Sequence, residues 1–323
     1  IFLKKRNNIK YSYELGDKKQ KKDFLFLLHK KKFDLIYFLD YGSASLEYAK
    51  ILLNNNTNSI FAIANKEMII AGGSFFINKI TKTKNKLIPL DSEHYSLFNT
   101  LSSNSFIEKI YITASGGPFY FDKSINLRKV NFNQVINHPK WKMGINNSID
   151  SSNFVNKLLE MYELSIIYNI PIDKIDFLVS REAFVHSVIH FNDNTITLNC
   201  FDNNMLITLV RPLNFFYNLK KIKLNNNIFN SAKFDLEEFN DKRFKFTKYL
   251  HFLKKLSHNN QINLILLNNI AHKLYINNKL KYLDIFDFIY KNLNKDFNLV
   301  NLNSFEKILS YIKNKEKAYE IFL

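Results

Sequence analysis

Ile149-Asp-Ser-Ser-Asn-Phe-Val-Asn-Lys-Leu-Leu-Glu160 places two hydroxyls, an amide, an ammonium and a carboxylate on one predicted helix. Apolar spacing carries that helix over Ser151–Asn169, and its neighbours Phe106–Thr113, Asp176–Val179 and Thr195–Cys200 read as strands, which makes the middle of the chain an α+β layer. Asp150 or Ser151 is the expected N-cap, and the open amide groups of the first turn then attract an anion such as phosphate. Asn156 and Glu160 are four apart and Lys157 and Glu160 three apart, so one helical face carries all three. Taken alone, the stretch is equally an ordinary amphipathic helix with a Lys–Glu pair. Three further segments change its meaning.

In Lys86-Leu-Ile-Pro-Leu-Asp-Ser-Glu-His94 an apolar run ends in two carboxylates. A strand over Leu87–Leu90 points Asp91 and Glu93 to the same side of its carboxyl end, where open α/β sheets bind ligands. Hard cations such as Mg²⁺ or Mn²⁺ prefer such oxygen ligands. In Thr113-Ala-Ser-Gly-Gly-Pro-Phe119, Gly116 and Gly117 free the backbone beside a hydroxyl, which reads either as a mobile loop or as a phosphate-touching lid. The last segment, His138-Pro-Lys-Trp-Lys-Met-Gly144, holds the only Trp.

With Ala64-Asn-Lys-Glu67 in front of them, these segments stand in an order and spacing that strongly resembles the 1-deoxy-D-xylulose 5-phosphate reductoisomerase family, from about Phe33 to Tyr282. The resemblance implies an oxidoreductase and isomerase that converts 1-deoxy-D-xylulose 5-phosphate to 2-C-methyl-D-erythritol 4-phosphate with NADPH and Mn²⁺ or Mg²⁺, in non-mevalonate isoprenoid biosynthesis. It implies Asp91, Glu93 and Glu160 as metal ligands, and Lys66, Glu93 and His138 as catalytic residues. Ser115, Ser151, Asn156 and Lys157 match substrate-phosphate contacts, and Lys66, Ser92 and His138 match residues near the sugar backbone. Glu93 and Glu160 also reach substrate, while Trp141 and Met143 lie on a flexible lid over it. Asn65, Glu67 and Gly144 match cofactor contacts. A homodimer is expected, in the cytoplasm of a bacterium or in the plastid stroma if the source is eukaryotic.

The fold class implied is α/β: a partial Rossmann-like NADPH-binding domain over residues 1–91, a central α+β catalytic domain over 92–214, a linker over 215–241 and a helical bundle over 242–323. In the first part Asp34–Leu39 and Ser59–Ala64 read as strands around a helix at Ala44–Leu53. In the last, Leu250, Leu253, Leu256 and then Leu264, Leu267, Ile270, Leu274 recur at helical spacing. Departures matter too. The family's Gly-x-Thr-Gly-x-Ile-Gly turn has no counterpart among these seven glycines, and the expectation is that upstream residues carry it and that this chain binds a substrate mimic better than NADPH. Ser180-Arg-Glu-Ala-Phe-Val-His186 and Met205-Leu-Ile-Thr-Leu209 also differ, with expected effects on the sheet and dimer contact and none on the metal or phosphate ligands. Leu158 stands where the family has Gly.

The 323 residues carry a net charge of +17, 46% hydrophobic residues and one cysteine, Cys200. That composition supports a sizeable core and excludes an internal disulfide. Scattered Lys, Asn, Ile and Phe read as an A+T-rich coding bias, so nucleic acid is not an expected partner, and polar runs at Asn54–Asn58 and Asn225–Asn227 read as loops. The longest apolar stretch, Ser59–Ile77, is interrupted by Asn65-Lys66-Glu67, so no membrane span is expected. A non-catalytic relic or partner subunit of the family and a basic nucleic-acid-binding protein are the competing functional readings.

Overall fold

The computed structural model describes residues 10–101, 106–140, 143–217, 235–293 and 299–323. Helix α1 (Lys18–Lys30), capped by Asp17, leads into β1 (Leu35–Phe38), α2 (Ser45–Asn55), β2 (Ile60–Ile63), α3 (Lys66–Thr81), β3 (Lys86–Pro89) and α4 (Ser92–Phe98). The strands pair in parallel, which the helical crossovers between them make possible, and the sheet order is β1-β2-β3. All four positions of the central strand β2 are buried, as expected for a strand between parallel neighbours with both faces covered.

The second unit contains β4 (Ile107–Ala114), α5 (Phe132–Ile136), α6 (Ile145–Asn153), α7 (Val155–Tyr168), β5 (Ile175–Val179), β6 (Val185–Phe191), β7 (Ile196–Cys200), α8 (Leu206–Val210) and a short β8 (Glu237–Glu238). Its mixed sheet has the order β7-β6-β4-β5-β8, with β4 and β5 parallel. Four helices follow: α9 (Lys245–Lys254), α10 (His258–Ile276), α11 (Asp284–Leu293) and α12 (Phe305–Tyr319). Leu264, Leu267, Ile270 and Leu274 are all buried on α10, as their spacing predicts. Among the described residues, no helix is long and apolar enough to cross a membrane.

Six of the eight strands among the described residues lie within a residue or so of their expected positions, and the differences have local causes. Strand β6 has no polar-apolar alternation because its first five residues are buried on both faces, so periodicity does not reveal it. Asn54 and Asn55 close α2 rather than forming a loop, and the Asn55 amide donates to the carbonyls of Leu28 and His29, both at 3.0 Å. Residues 218–234, including Asn225–Asn227, fall outside the described residues, but the end of the expected linker is sheet, since Glu237 and Glu238 pair with β5. Leu158 is fully buried in the core.

The expected helix Ser151–Asn169 is two helices. They meet at Phe154, whose φ of 70° is left-handed. An aromatic residue in that conformation is strained by about 1–3 kcal/mol, and packing offsets the strain: the Phe154 ring lies 4.3 Å from Phe239, 5.0 Å from Phe244, 5.9 Å from Phe177 and 6.1 Å from Phe246, centroid to centroid. Asp150 and Ser151 therefore cap nothing. Gly144 is the N-cap of α6, Asp150 sits inside that helix, and α7 starts beyond the break.

Helix α3 is also interrupted, at Gly73 (φ 56°). The His258 Nε2–H answers the break by donating to the carbonyls of Ile70 at 3.0 Å and Ala71 at 3.1 Å. A Cβ on Gly73 would meet that ring at 2.7 Å, so the position excludes a side chain.

Phe154→Ala is expected to lower stability by about 3–5 kcal/mol, the range for truncating a buried Phe, whereas Leu198→Ala on the exposed face of β7 changes it by less than about 0.5 kcal/mol. Urea unfolding monitored by circular dichroism measures both; equal losses would remove Phe154 as the anchor of the helix junction.

Candidate active site

The ends of seven elements converge on one cavity of about 300 Å³. Strand β2 ends beside Ala64, and Asn65 caps α3 by accepting from the Met68 amide at 2.9 Å, which leaves Lys66 as the first residue of α3. Strand β3 ends at Pro89, and Asp91 caps α4 with Glu93 in its first turn. The two carboxylates thus share a site through a strand-to-helix turn and not through the strand alternation expected from sequence. Helix α7 adds Asn156, Lys157 and Glu160 from one face. The carboxyl end of β4 adds Thr113 and Ser115, and the last turn of α6 adds Ser151.

Gly117 explains how the loop after β4 reaches α6. Its φ is +57°, and a Cβ there would lie 2.9 Å from the Ser151 carbonyl oxygen. Only glycine allows that approach.

Asp91, Glu93 and Glu160 each present an oxygen, all within 4.8 Å of one another. Two buried ammonium groups lie among them. Lys66 Nζ stands 2.9 Å from Asp91 Oδ2, 2.7 Å from Asn156 Oδ1 and 3.4 Å from Glu160 Oε1. Lys157 Nζ stands 2.7 Å from Glu93 Oε1 and also donates to Glu160 Oε2 and to the Thr113 carbonyl. The Asn156 amide donates to Glu160, and the Ser92 hydroxyl donates to Glu93 Oε2 at 2.6 Å.

Burial pushes every one of these carboxyls up, and local charge decides the outcome. Lys66, helped by His94, holds Asp91 well below the usual carboxylate range, and Lys157 holds Glu93 below it. Glu160 is pushed up to about 7 by burial and by the Glu93 charge, in spite of the two lysines. Behind them Glu163 is fully buried with neither carboxyl oxygen hydrogen-bonded, and burial with the Asp91 charge drives it well above its ordinary value. It faces His94 Nδ1 at 3.7 Å, while His94 Nε2–H donates to the Glu160 carbonyl at 2.8 Å.

His138 shares the cavity with Ser115. Its Nδ1 accepts from the Lys140 amide at 3.2 Å, so Nε2 carries the proton and faces Ser115 Oγ at 3.0 Å. Burial, with the Lys157 charge nearby, lowers its pKa to about 4.

Of the expected site residues, Lys66, Asp91, Ser92, Glu93, Ser115, His138, Met143, Ser151, Asn156, Lys157 and Glu160 all line this one cavity. Asn65 and Glu67 do not. Asn65 is buried with its amide donating to the Gly42 carbonyl at 2.8 Å, and Glu67 is buried beside it, raised to about 7 by burial against the pull of Lys66. Gly144 has open space where a side chain would be. Trp141 lies outside the described residues.

Sequence reading missed His186, Ala183, Met205 and Asn147, which line the same cavity. The segments Ser180–His186 and Met205–Leu209, expected to bear only on the sheet and dimer contact, therefore touch the site. His186 stacks on Phe201 at 3.8 Å and donates from Nε2 to the Phe201 carbonyl at 3.1 Å. Its place in β6 was the missing signal.

Comparison with known proteins follows the same residues. Residues 87–168 match the sequence model of the 1-deoxy-D-xylulose 5-phosphate reductoisomerase C-terminal domain. A 1-deoxy-D-xylulose 5-phosphate reductoisomerase of Clostridium novyi (strain NT) is 34% identical over 268 residues, 80% of this chain and 70% of that protein. One of Malacoplasma penetrans (strain HF-2) is 30% identical over 313 residues, 96% of this chain and 81% of that protein. Among solved structures, a DOX-P reductoisomerase in complex with NADPH, fosmidomycin and magnesium superposes with a TM-score of 0.81 at 21% identity, over 93% of this chain and 78% of that one. The enzyme from Zymomonas mobilis in complex with NADPH gives 0.79 at 22% identity over the same shares. Both likenesses show the shared fold.

Two measurements probe the site's electrostatics. In nitrogen-detected NMR, His138 is expected to stay in the Nε2–H neutral form until the pH falls to about 4; protonation near pH 6.5 would mean that the ring is solvated. Glu67 titrates at about 7 in the folded chain against 4.5 for the ordinary group. The folded state therefore keeps a proton that the unfolded state has released, and its stability falls as pH rises from 4.5 to about 7. Glu67→Gln removes that dependence, so its stability relative to the parent should rise across this window by up to about 3 kcal/mol. Urea midpoints at pH 4.5 and pH 8 give the answer, and a pH-independent difference would contradict the buried proton.

Proposed function

The chain belongs to the 1-deoxy-D-xylulose 5-phosphate reductoisomerase family, and from that premise we propose that it converts 1-deoxy-D-xylulose 5-phosphate to 2-C-methyl-D-erythritol 4-phosphate with NADPH and a divalent metal. The observation that carries this reading is that one cavity joins a three-carboxylate cluster to hydroxyl, amide and ammonium groups suited to a phosphate. Three carboxylate oxygens within 4.8 Å of one another fit the donor chemistry of Mn²⁺ or Mg²⁺, and Asp91, Glu93 and Glu160 would hold the ion. When bound, the metal supplies a Lewis acid and NADPH a hydride.

The chain's own groups do the rest. Ser115, Ser151, Asn156 and Lys157 bind the phosphate, and the binding energy of that remote group orients the reacting carbons. Ser92 fixes one Glu93 oxygen, leaving the other to face Lys157. Lys66 lies where it can steady a substrate hydroxyl, and neutral His138 offers an N–H without adding charge beside Lys157. Met143 covers the cavity. Cofactor recognition is carried by family membership, because Asn65 and Glu67 are buried away from the cavity lining, whereas metal recognition is supported by the geometry of this chain.

The test is NADPH oxidation that requires both 1-deoxy-D-xylulose 5-phosphate and Mn²⁺. Asp91→Asn is expected to lower it about a hundredfold or more, the scale of losing several kcal/mol of charge stabilisation. Oxidation indifferent to Asp91 would overturn the metal assignment. Tight binding of both a hydroxamate-phosphonate mimic and NADPH with no turnover would leave a non-catalytic member of the family.

A further inference from the structure

An ammonium group has three N–H donors, and Lys157 has used all of its own, while Lys66 donates to two groups and pairs with Asp91 by charge. Lys66 serves Asp91, Asn156 and Glu160; Lys157 serves Glu93, Glu160 and the Thr113 carbonyl. No donor of Lys157 is left for a phosphate. The oxygens it holds are also those that a divalent cation on Asp91, Glu93 and Glu160 would take.

We infer that Lys157 is a displaceable counter-ion: a divalent cation takes its carboxylates, and the freed ammonium then becomes the phosphate ligand, so that cation and phosphate bind cooperatively. This rests on the metal site of the proposed function and adds an order of events to it.

Charge and reach support the exchange. With all three carboxyls ionised, as a bound cation requires, they and the two ammonium groups sum to one negative charge, and a divalent cation turns that into one positive charge in a buried place. A buried cation that has lost its partner is strongly unfavourable, so a second anion is drawn in. The four-carbon stem of lysine lets the ammonium swing without moving α7. It has only a short way to go, since its third partner is the carbonyl of Thr113 and Ser115 lines the same cavity. Each lysine has one neutral partner, Asn156 for Lys66 and the Thr113 carbonyl for Lys157, and it is Lys157 whose neutral partner lies on the strand end that also carries Ser115.

The experiment measures Mn²⁺ affinity of the 323-residue chain by electron paramagnetic resonance of the free ion, with and without propylphosphonate, which has a phosphate-like head and no chelating group. Propylphosphonate is expected to tighten Mn²⁺ about fivefold or more, the usual lower range of coupling between two sites. Lys157→Met, with its fold checked by circular dichroism, should bind Mn²⁺ more tightly than the parent without propylphosphonate and gain nothing from adding it. Trace acetylation of the unaltered chain, read by mass spectrometry, should label Lys157 faster with Mn²⁺ and slower again when propylphosphonate follows. Weaker Mn²⁺ binding by Lys157→Met, an undiminished phosphonate effect in that variant, or labelling unchanged by Mn²⁺ would each overturn the exchange. Asp91→Asn separates the two levels: if it binds Mn²⁺ as tightly as the parent, the metal site itself is wrong.

Discussion

Two lysines buried among three carboxylates hold the site together, and the surrounding elements are arranged to make that burial tolerable. A charge removed from water is costly unless it is paired and fully hydrogen-bonded. Here the pairing reaches across four elements: Lys66 from the start of α3, Asp91 and Glu93 from the start of α4, Lys157 and Glu160 from α7, and the Thr113 carbonyl from β4. Because these pairs join both sheets, a shift of either one leaves a buried charge without its partner. The site geometry and the packing of the two units are therefore a single constraint.

The helical end of the chain is tied to the same place. Asp150, in the middle of α6, accepts from Asn268 Nδ2 at 2.9 Å and from His272 Nε2 at 2.8 Å, both on α10. Tyr282 donates to the Ser152 carbonyl at 2.7 Å. These bonds fix α6 on the side away from the cavity, and α6 in turn presents Ser151 to it.

Much of this was legible in the residues. The strands around the cavity follow from short apolar runs, and the helical spacing of Asn156, Lys157 and Glu160 places them on one face, where the fold has them. What sequence could not give is whatever distant partners decide. Local propensity reads residues 151–169 as one helix, because the cause of the break at Phe154 lies in Phe177, Phe239, Phe244 and Phe246. The same holds for His186, which enters the cavity through a strand whose two buried faces hide its period. Asn65 and Glu67 are buried, which a four-residue motif does not reveal.

The aromatic anchor of the α6–α7 junction also sets a sequence of events during synthesis. All of the carboxylates and lysines of the site have left the ribosome once residue 163 has, yet three of the five rings packed on Phe154 belong to residues 239–246. Until that stretch emerges, only Tyr120 and Phe177 are there to offset the strain at Phe154, and the bend that sets Ser151 and Asn156 lacks most of its packing. The chemistry of the site is thus encoded early and assembled late, and a chaperone that meets the half-made protein meets an exposed phenylalanine where the finished one has a bend.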